Sequence, residues 1–383
     1  MKIEGLSKFD DIRPYTDEEA KQVFMEISKH PAIFSMMKVM NPYLTKEEVA
    51  QYVESLNSID DFQRKFSYPG LRMVVEKTSE GLTHEGIDEL DTNESYLFVS
   101  SHRDIMLDTS LLSFLMLERG MKIAEAAIGD NLVTKDLINK LAKLNRNFIV
   151  KRNAPVREMV VNSRHLSEYI QFVLHNKKRS VWIAQREGRA KDGIDVTNPG
   201  LLKMLSMASD KKENLIDYLK KSKIVPLSIS YEYDPNDRFK IDELIAKEQN
   251  LPYLKERNED FQQIITGMMG YKKRIHLVAS NPLDKELDQL EGLTGNKQLK
   301  KLAEIIDSKI ISNYKLWPSN YIAYDKLHGT SEYKDIYSDF DERSFLRRIE
   351  RRAIEHNHDD AERKFLEMYA NPVISKKKLI TTN

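Results

Sequence analysis

The stretch from Tyr96 to Phe114, YLFVSSHRDIMLDTSLLSF, reads as a short apolar strand, a polar turn and then an apolar helix. The turn holds His102, with Asp104 two residues on and Asp108 six residues on. A histidine at the C-terminal end of a strand, with a carboxylate at the start of the next helix, suits a general base and the group that orients it. The same residues also suit a polar turn and helix cap with no chemistry. The surrounding chain decides between the two.

The unit recurs. YLFVS (96–100), KIAEAAIG (122–129), NFIVK (147–151), SVWIAQ (180–185), KIVPLSISYEY (223–233) and RIHLVAS (274–280) are short apolar runs rich in β-branched residues. Helical patterns lie between them: LLSFLMLERG, NLVTKDLINKLAKL, VREMVVNSRHLSEYIQFVLHN and ENLIDYLKKS. Strands alternating with helices predict an α/β fold, a mixed, mostly parallel sheet flanked by helices. Residues 1–80 carry helix signals and no strand pattern, with Thr16 and Thr45 as N-caps and Pro31 at a helix start, which predicts an N-terminal helical subdomain. Residues 81–330 form the predicted α/β domain, and the charged helical segment 331–383 a C-terminal extension.

Bulk composition narrows the function. Lys+Arg and Asp+Glu are both 60, so no global field favours nucleic acid and none is expected as a partner. Cysteine is absent, which removes disulfides, zinc-thiolate sites and a thiol nucleophile and favours an intracellular setting. No apolar run reaches the roughly 18 residues of a spanning helix, and MKIEGLSKFDDIRPYTDEEA is too charged for a signal peptide. A cytoplasmic location is therefore expected. No P-loop, dinucleotide or nucleophile-elbow motif occurs, and there is no H-E-x-x-H. His356, His358, Asp359 and Asp360 cluster in a charged helical segment and read as a solvated face, so no metal is expected.

Four segments remain, each at a predicted strand end: HRDIMLD, FIVKRNAPVRE, WIAQREGRAKDG and VPLSISYE. In an open α/β sheet such ends converge on one edge, where ligands bind. A histidine there faces several Arg and Lys, which suits an anionic substrate whose neutral hydroxyl loses a proton. In this order and spacing the four resemble the sequence blocks of the glycerolipid acyltransferases. HRDIMLD is similar to the family's H-x-x-x-x-D, FIVKR to F-x-I-x-R, EGRAK to G-G-R-x-R or E-G-x-R, and VPLSI to V-P-[VI]-x-I. The WIA lead-in is like that of the soluble glycerol-3-phosphate enzymes, and RIHLVASNPLD resembles a later strand of the family. The likeness covers about residues 95–285. One departure stands out: the family's aspartate position is Leu107 here, so either Asp108 or Asp104 takes its role.

The resemblance implies transfer of a fatty acyl group from acyl-CoA or acyl-carrier protein, as co-substrate and with no cofactor, to a hydroxyl of glycerol-3-phosphate or 1-acylglycerol-3-phosphate. His102 is the implied base, with Asp108 or Asp104 as its orienter. Lys151, Arg152, Arg189 and Lys191 are the implied phosphate ligands. Arg103, Arg186, Glu187 and Gly188 are further substrate-binding candidates, and Pro226 is expected to shape a strand end beside the acyl channel. His165 and His175 read as structural or surface residues. Such substrates live in the bilayer, so peripheral attachment to the inner face of the membrane is expected. IFSMMKVM (33–40), LLSFLML (111–117), HNKKRS (175–180) and KKKLI (376–380) are its candidates. Two other readings stay open: O-acylation of an aminolipid precursor, and a non-catalytic lipid-binding protein of this fold.

Overall fold

The computed structural model describes residues 4–152, 155–210, 212–356 and 358–382. The N-terminal helices are α1 (Asp17–Ile27), α2 (Pro31–Met40), α3 (Lys46–Glu54), α4 (Ile59–Phe62) and, after a π-helical turn, α5 (Tyr68–Thr78). Thr16 and Thr45 start α1 and α3 as reciprocal capping boxes with Glu19 and Glu48, satisfying orphan N–H groups at each helix start. Apolar residues of these helices, among them Phe24, Ile33 and Phe62, form their own cluster, which Leu144 joins.

Seven strands follow: β1 (Ser79–Glu85), β2 (Leu97–Ser100), β3 (Glu125–Gly129), β4 (Asn147–Val150), β5 (Val181–Ala184), β6 (Ile224–Tyr231) and β7 (Lys273–Ala279). They make one sheet in the order β1-β7-β6-β2-β5-β3-β4. All neighbours pair in parallel except β6 with β7. The mixed, mostly parallel sheet expected from the strand–helix alternation is therefore present. β1 was not foreseen. Its sequence, SEGLTHE, carries charge and a glycine because it is a half-exposed edge strand, and edges do not show the apolar run of buried strands.

The connections are α6 (Leu107–Glu118), α7 (Asp136–Leu144), α8 (Val156–His175), α9 (Pro199–Leu205), α10 (Leu215–Lys221), α11 (Asp237–Glu248) and α12 (Glu259–Met269). α13 (Gly295–Ser312), α14 (Pro318–His328), α15 (Asp339–Ile354) and α16 (Ala361–Thr382) complete the chain. Alternate strand residues feed two cores. Leu97, Val99, Val181 and Ile183 pack with α8, α9 and α13 on one face, and Phe98, Trp182 and Val225 with α5 and α6 on the other. Burial on both faces is why these strands read as unbroken apolar runs.

Two expectations change here. LLSFLML belongs to the core, with Leu111, Leu112, Leu115 and Met116 buried, whereas α2 buries Ile33 and Met37 and exposes Met36 and Val39. Pro226 is not at a sheet edge. It is a buried residue early in the interior strand β6, opposite Val99 of β2. A proline is tolerated there because β7 ends at Ala279, opposite Leu227, and beyond that end Ser280 N–H still donates to the Pro226 carbonyl at 2.9 Å.

Gly86 lies just past β1 with φ +78°, and a Cβ there would sit 1.9 Å from the Ala279 carbonyl oxygen. Gly86→Ala should therefore lower stability by more than about 1 kcal/mol, read from urea unfolding midpoints. An unchanged midpoint would remove the close approach of β1 and β7 as a constraint.

Candidate active site

β2 ends at Ser100, and the next residues are stitched to β6 on one side and to the loop that follows β5 on the other. Ser101 N–H donates to Leu227 of β6 at 3.0 Å, and the His102 carbonyl accepts from Ala190 N–H at 2.8 Å. This holds His102 over the C-terminal edge of the sheet, its ring edge-on to Trp182 at a centroid distance of 5.5 Å. The first turn of α6 brings Asp108 to the same point. His102 Nδ1 lies 2.8 Å from Asp108 Oδ2.

Asp108 is fully buried and surrounded by donors. Oδ2 also accepts from Arg103 N–H at 2.6 Å and Asp104 N–H at 3.0 Å, and Oδ1 accepts from the Tyr231 hydroxyl at 2.9 Å. An acceptor-only carboxylate satisfies all of these together with a donating Nδ1–H. Burial and the charge of Asp108 push the Tyr231 phenol well above its ordinary pKa, so it remains a donor. Nothing in the sequence links position 231 to position 108; parallel pairing of β6 beside β2 does.

Asp104 does not touch the ring. Its Oδ1 accepts from Met106 and Leu107 N–H, both at 2.9 Å, and so caps α6, while its Oδ2 accepts from Asn236 at 2.8 Å. Burial, then the nearby Asp108, raises its pKa above the usual 3.8. Gly267 of α12 makes room for it, since a Cβ there would lie 2.2 Å from Asp104 Oδ2.

His102 lines a cavity of about 300 Å³ between the sheet edge and helices α8 and α9. Ile128, Leu132, Ile149, Leu166 and Met204 give it an apolar wall, and Lys151, Arg152, Arg186 and Glu187 supply polar groups. Arg152 Nε is 3.6 Å from Glu187, and Gly129 leaves space for the guanidinium, because a Cβ there would fall 2.8 Å from Arg152 Nε. Arg186 donates to the Ile194 carbonyl at 3.0 Å. Lys151 and His165, both cavity-lining, share Asp11 at 2.5 and 3.0 Å, so His165 is a wall residue held by a hydrogen bond. His175 bonds Gln171 at 2.9 Å away from the cavity.

The remaining basic candidates point elsewhere. Gly188, at φ +74°, reverses the chain after Glu187. Beyond that turn Arg189 donates to Gln263 of α12, and Lys191 pairs with Glu243 of α11. Neither lines the cavity. Arg103 is directed away as well, paired with Asp195 and lying over the Tyr314 ring. The cations expected as one phosphate cluster are thus divided by a left-handed glycine into a cavity group and a helix-holding group. His356 bonds Asp242 at 2.7 Å and His358 bonds Gln249 at 2.9 Å, and among the described residues no group of three or more His, Asp or Glu is placed to hold a metal.

The fold and site together define an α/β protein with a buried-carboxylate–histidine pair in the wall of a cavity lined by apolar and basic residues. No family model matches the chain, and no curated protein does. Among solved structures, the chain is similar to the 1-acyl-sn-glycerophosphate (LPA) acyltransferase, PlsC, from Thermotoga maritima. The identity is 13%, with 77% of this chain and 94% of that chain covered and a TM-score of 0.39.

The raised pKa of Asp104 makes it a stability liability. The folded state holds its proton more tightly than the unfolded chain, so stability from this group is lost as pH rises from about 3.8 through the raised folded value. Asn at this position keeps the cap and, once the Asn236 amide turns over, donates to Asn236 Oδ1, which is otherwise buried without a partner. Asp104→Asn should be at least as stable as wild type at pH 7, with the margin shrinking toward pH 4. A variant clearly less stable at pH 7 would contradict this account.

Proposed function

We propose that this chain is an O-acyltransferase, moving a fatty acyl group from a thioester to a hydroxyl of a glycerol phosphate or lyso-lipid acceptor. The observation that carries the reading is the His102–Asp108 pair at the cavity wall. With Nδ1–H committed to Asp108, Nε2 is the ring nitrogen left to accept a proton from a substrate in the cavity. The four-block sequence resemblance supports the same chemistry, with Asp108 in the aspartate role.

The acyl chain occupies the apolar wall. The acceptor's phosphate lies against Arg152 and Arg186, the guanidinium groups that line the cavity with His102. As the acceptor hydroxyl attacks the thioester carbonyl, its proton passes to His102 Nε2. The new C–O bond forms, the C–S bond breaks, and the imidazolium returns the proton to the departing thiolate. Asp108 fixes the ring tautomer and stabilises the imidazolium. Tyr231 is a positioning residue: it saturates the far oxygen of Asp108 and holds the carboxylate plane toward the ring. Arg189 and Lys191 secure α12 and α11 beside the site.

An assay of acyl-CoA and acyl-carrier donors against glycerol phosphates and lyso-lipids tests the activity. His102→Ala should lower turnover on the order of 100- to 10,000-fold with the fold intact by circular dichroism; wild-type-like turnover would refute the base assignment. Tyr231→Phe should retain part of the activity, lowering kcat with little change in either KM, because it frees Asp108 Oδ1 and loosens the ring without touching the cavity. Arg152→Ala should raise the acceptor KM more than the donor KM, and more than Arg189→Ala does. The reverse order would move the phosphate site to the α12 side.

A further inference from the structure

α12 is turned inside out. Its fully buried residues, spaced four apart, are Glu259, Gln263 and Gly267, and Met268 beside them packs against the core. Its outward residues at the same spacing are Phe261, Ile265 and Met269, 40 to 54 % exposed. A helix on the surface of a water-soluble protein places these the other way round. The inward polarity has a reason on the site side: Gln263 holds Arg189 and Glu259, and Gly267 admits Asp104. The outward apolar stripe has none within the described residues. Leu254, 84 % exposed, extends it on the preceding loop.

The stripe is continuous with the rim of the cavity. Lys135, on the connection that carries cavity-lining Leu132, donates to Asn258 at 3.2 Å and lies 4.7 Å from the Phe261 ring. Met159 of α8 also lines the cavity, and it opens a second exposed apolar step with Val160 and Val161. Arg157 and Arg164, both exposed, flank that step at helical spacing. Charges around the two patches are Lys135, Arg157, Arg164, Lys255 and Arg257 against Asp136, Glu158, Glu256 and Asp260. Lys140 neutralises Asp136 at 2.7 Å and Lys255 neutralises Asp260 at 2.6 Å, which leaves the cations in excess.

We infer that this face rests on an anionic bilayer, with α12 in the interfacial plane and the α8 step beside it. Apolar side chains among outward cations match the boundary between headgroups and acyl chains. A second copy of this chain seated on the same face would cover the rim through which a substrate reaches His102. A bilayer there supplies the cavity directly. The inference goes beyond the acyl-transfer reading, since it concerns a surface and not the chemistry at His102.

The test uses the full chain and vesicles of phosphatidylcholine with or without phosphatidylglycerol, in cosedimentation at low and high salt. Wild type should bind the anionic vesicles and keep part of that binding in high salt. Ile265→Asp with Met269→Asp should weaken partitioning at least about tenfold at unchanged melting temperature. Separately, Ile265→Trp should shift its emission to the blue on vesicles and be quenched by brominated lipid. Wild type that stays in the supernatant, paired aspartates that bind like wild type, or a dimer in solution that Ile265→Asp splits would each overturn the inference. Vesicle binding is read without acyl transfer. An inactive chain that binds vesicles therefore sinks only the enzymatic reading, and an active chain that does not bind sinks only this one.

Discussion

One buried carboxylate organises the centre of this molecule. Asp108 is fully enclosed by the protein, and a carboxylate there is tolerated only when its lone pairs are filled. Its donors come from the residues after β2, from the ring of His102 and from the end of β6. The two backbone donors wrap the 103–104 turn around the carboxylate, and the hydroxyl fixes the register between neighbouring strands. The geometry of the histidine is thus a by-product of satisfying an acid. Loosening any donor degrades both the local fold and the ring's orientation.

The same economy explains the division of cations. A site that gathered Arg103, Arg152, Arg186, Arg189 and Lys191 in one place would carry strong mutual repulsion with few acids to offset it. The chain instead gives most of them a partner. Asp195 holds Arg103, Gln263 holds Arg189 and Glu243 holds Lys191. Arg152 and Arg186 remain loosely engaged at the cavity, where an anionic ligand can compete with Glu187 and a carbonyl.

Much of this was legible in the sequence. Six of the seven strands announce themselves because both faces of the sheet are covered, so the apolar runs are continuous. Thr16 and Thr45 mark helix starts by chemistry that acts within four residues. His102 and Asp108 were visible as a local pair, and the choice between Asp108 and Asp104 turned on helix phase, which one-dimensional spacing does not carry. What escaped was non-local or edge-like. β1 is a charged edge strand. Tyr231 meets Asp108 only through strand pairing. The direction of Arg189 depends on one positive-φ glycine.

The N-terminal segment has a consequence for the cavity. Ile149 N–H of β4 donates to the Ile12 carbonyl at 2.8 Å, Ile12 lines the cavity, and Asp11 clamps Lys151 and His165. A side wall of the pocket is therefore contributed by the N-terminal segment, whose Phe9 and Ile12 are buried in the core and whose Asp11 reaches Lys151 and His165. Its grip weakens as salt screens the half-exposed Asp11. The width of the pocket is in this way tied to how firmly a segment remote in sequence is buckled down.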